Sequence, residues 1–376
     1  MASLTGEFKQ KMRIGISTRG LNQGSFAIST IVLHLTQKII ELTDSQHEIF
    51  LYCNNQDHEA LFSRNVYKRT LNTNNRFFWD HVWLPQALKK DHIDIALFMK
   101  GSMPALLPCK GTVIFHDLGY FDNQLDPYPP LDTVYMKTMM SRAAKKACHI
   151  YADSDYTRNE ALRIFGIEPR KISVIYQDCS PIYAPVVDDA KRAEIRFRYH
   201  LPANFIFCPV SLSPRKNLLR ILNAFSLVKD KISQDLVITG GQVWKSNNIV
   251  NRIRQEFPQR IRILGKVNKE DMPGLYSLAD FTIYPSLLEG FGMPVLEAFR
   301  CDCPILTSNT TSIPEVAGDA AYLINPYDVN EIAAGMIDLA TNKKLRQLLI
   351  SKGQKRAQLF SWEKTARVIL DTLENS

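Results

Sequence analysis

The sequence predicts an α/β protein built from two Rossmann-like doubly wound domains that face a central cleft. Three observations carry that prediction: β-rich runs alternate with helix-length segments throughout, the series restarts after a Pro-containing connection, and 376 residues exceed what one compact core usually supports. The first series is Arg13 to Ile16, His47 to Tyr52, Ile93 to Phe98, Thr112 to Phe115, His149 to Ala152 and Ile172 to Ile175, each short and rich in β-branched or aromatic residues. The connection is Ser180-Pro-Ile-Tyr-Ala-Pro-Val-Val187. The second series is Phe205 to Phe207, Asp235 to Ile238, Arg260 to Leu264, Phe281 to Tyr284, Pro304 to Leu306 and Ala321 to Ile324. Strands separated by helical segments pair in parallel, because the crossover returns the chain to the same edge. The expected boundaries are residues 1–183, residues 184–358 and a closing helical segment, residues 359–376.

Composition is that of a globular protein, with 45% hydrophobic and 22% charged residues. No stretch is long and apolar enough to span a bilayer, and Met1 to Met12 lacks a hydrophobic export core, so a cytoplasmic location is expected. The seven cysteines are scattered without Cys-x-x-Cys spacing and read as reduced thiols, with Cys301 and Cys303 as packing residues. The net charge of +8 comes from dispersed residues with no aromatic-basic motif beside them, which excludes nucleic acid as the expected partner. Arg142, Lys145 and Lys146 form the tightest basic cluster; against their reading as a solvated helix face stands peripheral contact with an anionic membrane.

Two segments carry the chemistry. In Tyr284-Pro-Ser-Leu-Leu-Glu-Gly-Phe-Gly-Met-Pro-Val-Leu-Glu-Ala-Phe299, a buried strand runs into a glycine-flanked turn, and Pro294 suits the start of a helix. The free N–H groups at that helix start favour an anion, Glu289 stands just before the turn, and Glu297 follows about one turn further in. In Phe207 to Phe225, a strand, a polar turn and an apolar helical face at Leu218, Leu219, Leu222 and Phe225 place Arg215 and Lys216 at a second helix mouth. Two fixed cations there suit a pyrophosphate and the charge that grows on a departing nucleoside diphosphate.

Glu-Gly-Phe-Gly-Met-Pro-Val-Leu-Glu-Ala from Glu289 to Ala298 resembles the signature of the family 4 retaining glycosyltransferases, and Pro214-Arg-Lys-Asn217 resembles their mannosyl- and rhamnosyltransferase branch. The resemblance implies the GT-B architecture, with a C-terminal helix crossing back to the first domain. It implies that Glu289 contacts the transferred sugar and Glu297 the ribose. The backbone from Gly290 through Phe291, Gly292, Met293 and Pro294 to Val295 meets sugar and diphosphate, and Lys216 and Arg215 bind the phosphates. It also implies retention of configuration; Arg215, Lys216 and the helix at Pro294 meet the charge on the leaving group without a metal ion, so no metal or cofactor is expected, the nucleotide sugar being a co-substrate. Where relatives place a phosphate Arg directly after the strand this chain has Val210-Ser-Leu212, so Lys216 is the firmer counterpart.

Further loops fall where open α/β sheets present functional groups. His116 and Asp117 follow a strand in a His-Asp-Leu segment like the family's; His116 suits a contact to the sugar or acceptor, while Asp117 caps a turn. Gly24 stands where relatives carry a glycine-rich loop, and Gly241 and Val267 end strands near the expected diphosphate and base. The expected reaction moves a hexosyl group, mannose from GDP-mannose first and dTDP-rhamnose or UDP-sugars next. The expected acceptor is a saccharide or lipid-linked saccharide of cell-surface polysaccharide or lipopolysaccharide. The alternatives are a nucleotide-sugar-binding protein without turnover and a sugar-nucleotide epimerase on the same fold.

Overall fold

The computed structural model describes residues 11–21, 26–43, 46–62, 65–73, 75–122, 125, 128–210, 213–240 and 247–376. Among these, seven strands form a first sheet: β1 (Arg13–Ser17), β2 (Glu48–Cys53), β3 (Tyr67–Thr70), β4 (Ile95–Phe98), β5 (Lys110–Phe115), β6 (His149–Ala152) and β7 (Ile172–Val174). Six form a second: β8 (Phe205–Pro209), β9 (Asp235–Thr239), β10 (Ile261–Gly265), β11 (Phe281–Tyr284), β12 (Ile305–Ser308) and β13 (Tyr322–Ile324). The first sheet runs β3-β2-β1-β4-β5-β6-β7 and the second β10-β9-β8-β11-β12-β13, with every pairing parallel. In both, strand order reverses beside the first strand of the sheet, so a crevice opens beyond its C-terminal end.

The α/β class and the paired sheets agree with the sequence expectation, with one addition. β3 is absent from the expected series because Tyr67-Lys-Arg-Thr70 is an edge strand whose residues alternate between exposed and half-buried. Its two cations keep it from looking like a core strand, and charge on an edge strand guards against pairing with another chain. The central strands are buried on both faces, as helices on either side of a parallel sheet require; β11 is buried along its whole length. Leu219, expected on the buried face of the helix Leu218–Val228, is exposed, and Ile221 packs inward in its place.

The final helix, Trp362–Glu374, packs along Phe26–Thr43 of the first sheet's outer layer. Trp362 donates its indole N–H to the Cys179 carbonyl at 3.0 Å, and Tyr151 donates its hydroxyl to the Ile369 carbonyl at 3.4 Å. His47 meets Glu374 at 3.2 Å.

Candidate active site

The segment after β11 turns through Gly292, whose φ of +99° lies in the left-handed region open to glycine, and enters the helix Met293–Arg300. Gly290 is required for a different reason. A Cβ there would sit 1.6 Å from the His116 carbonyl oxygen, so the backbone after β11 touches the backbone after β5. Ser154 and Thr157, at the start of the helix Asp155–Phe165, donate to the Gly290 carbonyl at 2.6 and 3.1 Å. From the other side Glu315 accepts the Asp155 N–H at 2.7 Å, closing the N-terminus of that helix. The two halves therefore meet at Gly290.

Glu289 is buried and lies between the two cations expected to bind phosphate. Lys216 Nζ is 2.6 Å from one carboxylate oxygen and Arg215 Nη1 is 3.2 Å from the other. Tyr284 donates its hydroxyl to Glu289 at 2.7 Å, Ser286 also donates to it, and Lys216 hydrogen-bonds Tyr284 as well. Burial alone would raise the Glu289 carboxyl, but Lys216 and Arg215 outweigh it and hold it at about 2. Burial pulls the Lys216 ammonium down to about 8 against the opposing pull of Glu289, whereas Arg215 stays fully charged. Two cations and one carboxylate leave a net positive charge at this helix mouth.

The cations get there by a short turn, Pro214–Lys216, ended by Asn217 at φ +63°. Asn217 donates its amide to the carbonyls of Pro285 and Pro326 at 3.0 and 2.6 Å, pinning that turn to the segments after β11 and β13.

Glu297 lies one helical turn beyond. Tyr276 donates to it at 2.8 Å and Tyr183, from the connection between the sheets, hydrogen-bonds it too. Burial pushes the Glu297 carboxyl above its ordinary value, with both tyrosines opposing. Between the carboxylates the turn offers backbone donors, but fewer than five: Pro294 has no N–H and the Val295 N–H donates to the Gly292 carbonyl at 2.9 Å. Among the described residues, the N–H groups of Phe291, Gly292 and Met293 have no other acceptor.

Across the gap, His116 uses both ring nitrogens. Nε2 lies 2.7 Å from the Met99 carbonyl, which only accepts, and Nδ1 lies 2.8 Å from the Asp153 carboxylate, so both nitrogens carry protons. Burial would lower this ring, but Asp153 outweighs it and raises the imidazole above its usual value. Gln177 holds the other Asp153 oxygen at 2.6 Å. Asp117 accepts the Gly119 N–H at 2.9 Å, the turn cap expected of it. A cavity of about 330 Å³ lies between Asp117, Leu118 and Phe121 on one side, Tyr156 and Thr157 on another, and Leu288 and Glu289.

Residues 191–356 match the group 1 glycosyl transferases and residues 31–177 match glycosyltransferase family 4. The O-antigen chain mannosyltransferase B of Escherichia coli is 32% identical over 259 residues, 68% of this chain and 67% of that protein. The chain belongs to the family 4 type of GT-B glycosyltransferases. The serotype-specific mannosyltransferase WbdA of Escherichia coli is 28% identical over 280 residues, which is 72% of this chain but about a third, 34%, of that longer protein. Among solved structures, a glycosyltransferase from Rickettsia africae superposes with a TM-score of 0.73 at 17% identity, covering 97% of this chain and 98% of that one. HepE from Anabaena, in complex with UDP and glucose, superposes with a TM-score of 0.74 at 16% identity, covering 97% and 100%. At those identities the superpositions show the fold alone, and the fold is GT-B.

Within this family frame, the structure brings Glu289, Lys216, Arg215, Gly290 and His116 together, with Glu297 one turn away. Val267 is buried in the loop after β10, where Gly265 adopts φ +68°. Gly24 and Gly241 lie outside the described residues. Sequence reading did not single out Asp153, Gln177, Tyr183 or Tyr276. Asp153 directly follows β6, a strand-end position like that of His116, and that placement was the available signal. Tyr183 stands within the Pro-containing connection, and Tyr276 carries no local signal in the sequence.

Proposed function

We propose that this chain is a retaining, metal-independent glycosyltransferase that moves a mannosyl group from GDP-mannose to a saccharide or lipid-linked saccharide. The product would serve cell-surface polysaccharide or lipopolysaccharide assembly on the cytoplasmic side. The observation that carries the reading is the buried Lys216–Glu289–Arg215 cluster at the mouth of the helix Met293–Arg300, with Glu297 one turn further in. The mannosyltransferase names of the relatives support mannose over other hexoses.

In this reading the diphosphate meets Lys216, Arg215 and the N–H groups of Phe291, Gly292 and Met293, which match the negative charge that grows as the anomeric C–O bond breaks. The acceptor oxygen bonds the anomeric carbon on the face the diphosphate leaves, and the acceptor proton passes to the departing phosphate oxygen. Glu289, already ionised, takes sugar hydroxyls, and Glu297 takes the ribose. His116 exchanges the Met99 carbonyl for a sugar hydroxyl. Fixed cations and helix donors at the diphosphate fill the place a divalent ion would take.

The test is incubation with GDP-mannose, dTDP-rhamnose and UDP-sugars, following slow donor hydrolysis, with and without a strong chelator. GDP-mannose should be hydrolysed fastest and the chelator should leave the rate intact. Tight nucleotide binding without turnover of any donor would favour a binding protein and overturn the proposal, and activity restored only by added magnesium or manganese would overturn the metal-free site.

A further inference from the structure

The helix Pro130–Lys146 turns an unusual face outward. Leu131 and Val134 are 89% and 66% exposed, and the same face continues at helical spacing through Thr138 and Arg142 to Lys145. Beside it, the helical segment from Arg76 to Trp83 exposes Phe77 at 57%, Phe78 and Trp83. These are one surface because polar contacts behind it lock the two elements together. Arg76 pairs with Asp132 at 2.6 Å and stacks its guanidinium 4.1 Å from the Tyr135 ring centre, and His81 hydrogen-bonds the Tyr135 hydroxyl at 3.1 Å.

The order of chemistry along the surface selects its partner. Apolar and aromatic groups gather at one end of the helix, and Arg142, Lys145 and Lys146 stand at the other, about 20 Å away at 1.5 Å per residue. The acidic residue of this helix, Asp132, is already paired with Arg76. A folded protein partner would have to cover side chains up to 89% exposed with a matching pocket, whereas a bilayer needs only depth: acyl chains for the leucine, valine and aromatic groups, phosphates for the cations. The apolar end also adjoins the cleft. Tyr120 donates to Asp132 at 2.9 Å and stacks 4.1 Å from Tyr128, whose hydroxyl is raised by burial and by Asp117, and is close enough to Arg215 and Glu289 to feel both.

We propose that Phe77, Phe78, Trp83, Leu131 and Val134 dip into an anionic phospholipid leaflet while Arg142, Lys145 and Lys146 hold its phosphates, so that the cleft opens at the membrane surface. This placement favours the lipid-linked acceptor of the proposed reaction, but it is read without turnover and so stands or falls separately from it.

Flotation of the full chain with vesicles tests it. The protein should float with phosphatidylcholine vesicles containing phosphatidylglycerol, be released by high salt, and ignore phosphatidylcholine alone. Arg142→Ala with Lys145→Ala should weaken binding about 25-fold, at about fivefold per lost charge. Leu131→Ser with Val134→Ser should weaken it at unchanged charge. Brominated lipid should quench wild-type emission more than that of Trp83→Phe. Unchanged circular dichroism and nucleoside diphosphate affinity in each variant would show that the fold and the cleft survive. No flotation at low salt, or variants that float like the wild type, would overturn the proposal; capture by a protein partner alone would do the same.

Discussion

Replacing Glu289 by Gln keeps the side-chain shape and removes the carboxylate that faces Lys216 at 2.6 Å and Arg215 at 3.2 Å. Two routes give the cost. Holding this carboxyl at about 2 rather than 4.5 is worth about 3 kcal/mol at neutral pH, and breaking a buried ion pair by deleting one partner costs about 3–5 kcal/mol. At about 2–4 °C per kcal/mol, the free Glu289→Gln protein should melt roughly 6–20 °C below the wild type. The same change removes a negative charge from the proposed diphosphate site. Free nucleoside diphosphate should therefore bind the variant about tenfold more tightly and recover part of the lost melting temperature. Turnover of the full donor should fall on the order of a hundredfold, because the carboxylate proposed to hold the sugar is gone. Calorimetry with the nucleoside diphosphate, thermal unfolding with and without it, and donor kinetics read all three effects. Glu297→Gln is the contrast: it should weaken the same nucleotide by about 1.5–3 kcal/mol. A Glu289→Gln protein that melts with the wild type and binds the nucleotide no more tightly would refute the idea that this carboxylate is the resident counter-charge of the phosphate site.

Other consequences can be measured separately. Since the Glu289 carboxyl sits lower in the folded chain than in the unfolded one, its stabilisation is complete above about 4.5 and drains away as pH falls towards 2; acid titration of Glu289→Gln should lack that component. Lys216 titrates at about 8 in the fold, so its charge fades above that pH and nucleoside diphosphate affinity should decline there, while Lys216→Arg holds its affinity to higher pH. Gly290→Ala drives a methyl group to 1.6 Å from the His116 carbonyl and should force the halves apart, costing about 1–3 kcal/mol and most of the turnover; wild-type kinetics in that variant would contradict the close approach. Asp153→Asn removes the counter-charge of the His116 imidazolium, and NMR should find the ring titrating at lower pH than in the wild type.

Much of this was legible because burial and backbone rules act locally. Phe281 to Tyr284 is apolar and β-rich because both faces of that strand are covered, and Gly292 needs its positive φ within its own turn. What stayed hidden depends on partners distant in sequence. Gly290 looks like a second turn glycine, yet its constraint is the carbonyl of His116. Arg215, Lys216 and Glu289 were expected to face a ligand as separate groups; folding first makes them face one another. Tyr183 and Tyr276 have no local signature as holders of Glu297, because a buried tyrosine is ordinary until the carboxylate it meets is known. β3 was missed for the opposite reason, since an edge strand lacks the burial that makes a strand recognisable.

The return of the last helix to the first layer changes what cutting the chain would do. A protease could reach the connection at Pro181, Ile182 and Val187, which lie exposed around the buried Tyr183. Such a nick would not yield two separate pieces. The downstream fragment carries the helix Trp362–Glu374, which lies against Phe26–Thr43 of the upstream one and is fastened by Trp362 to the Cys179 carbonyl and by Arg300, which bridges Asp178 and the Phe360 carbonyl. The fragments would stay clasped and run as one particle until denaturant released them, so the covalent link between the sheets is not the tie that keeps them together.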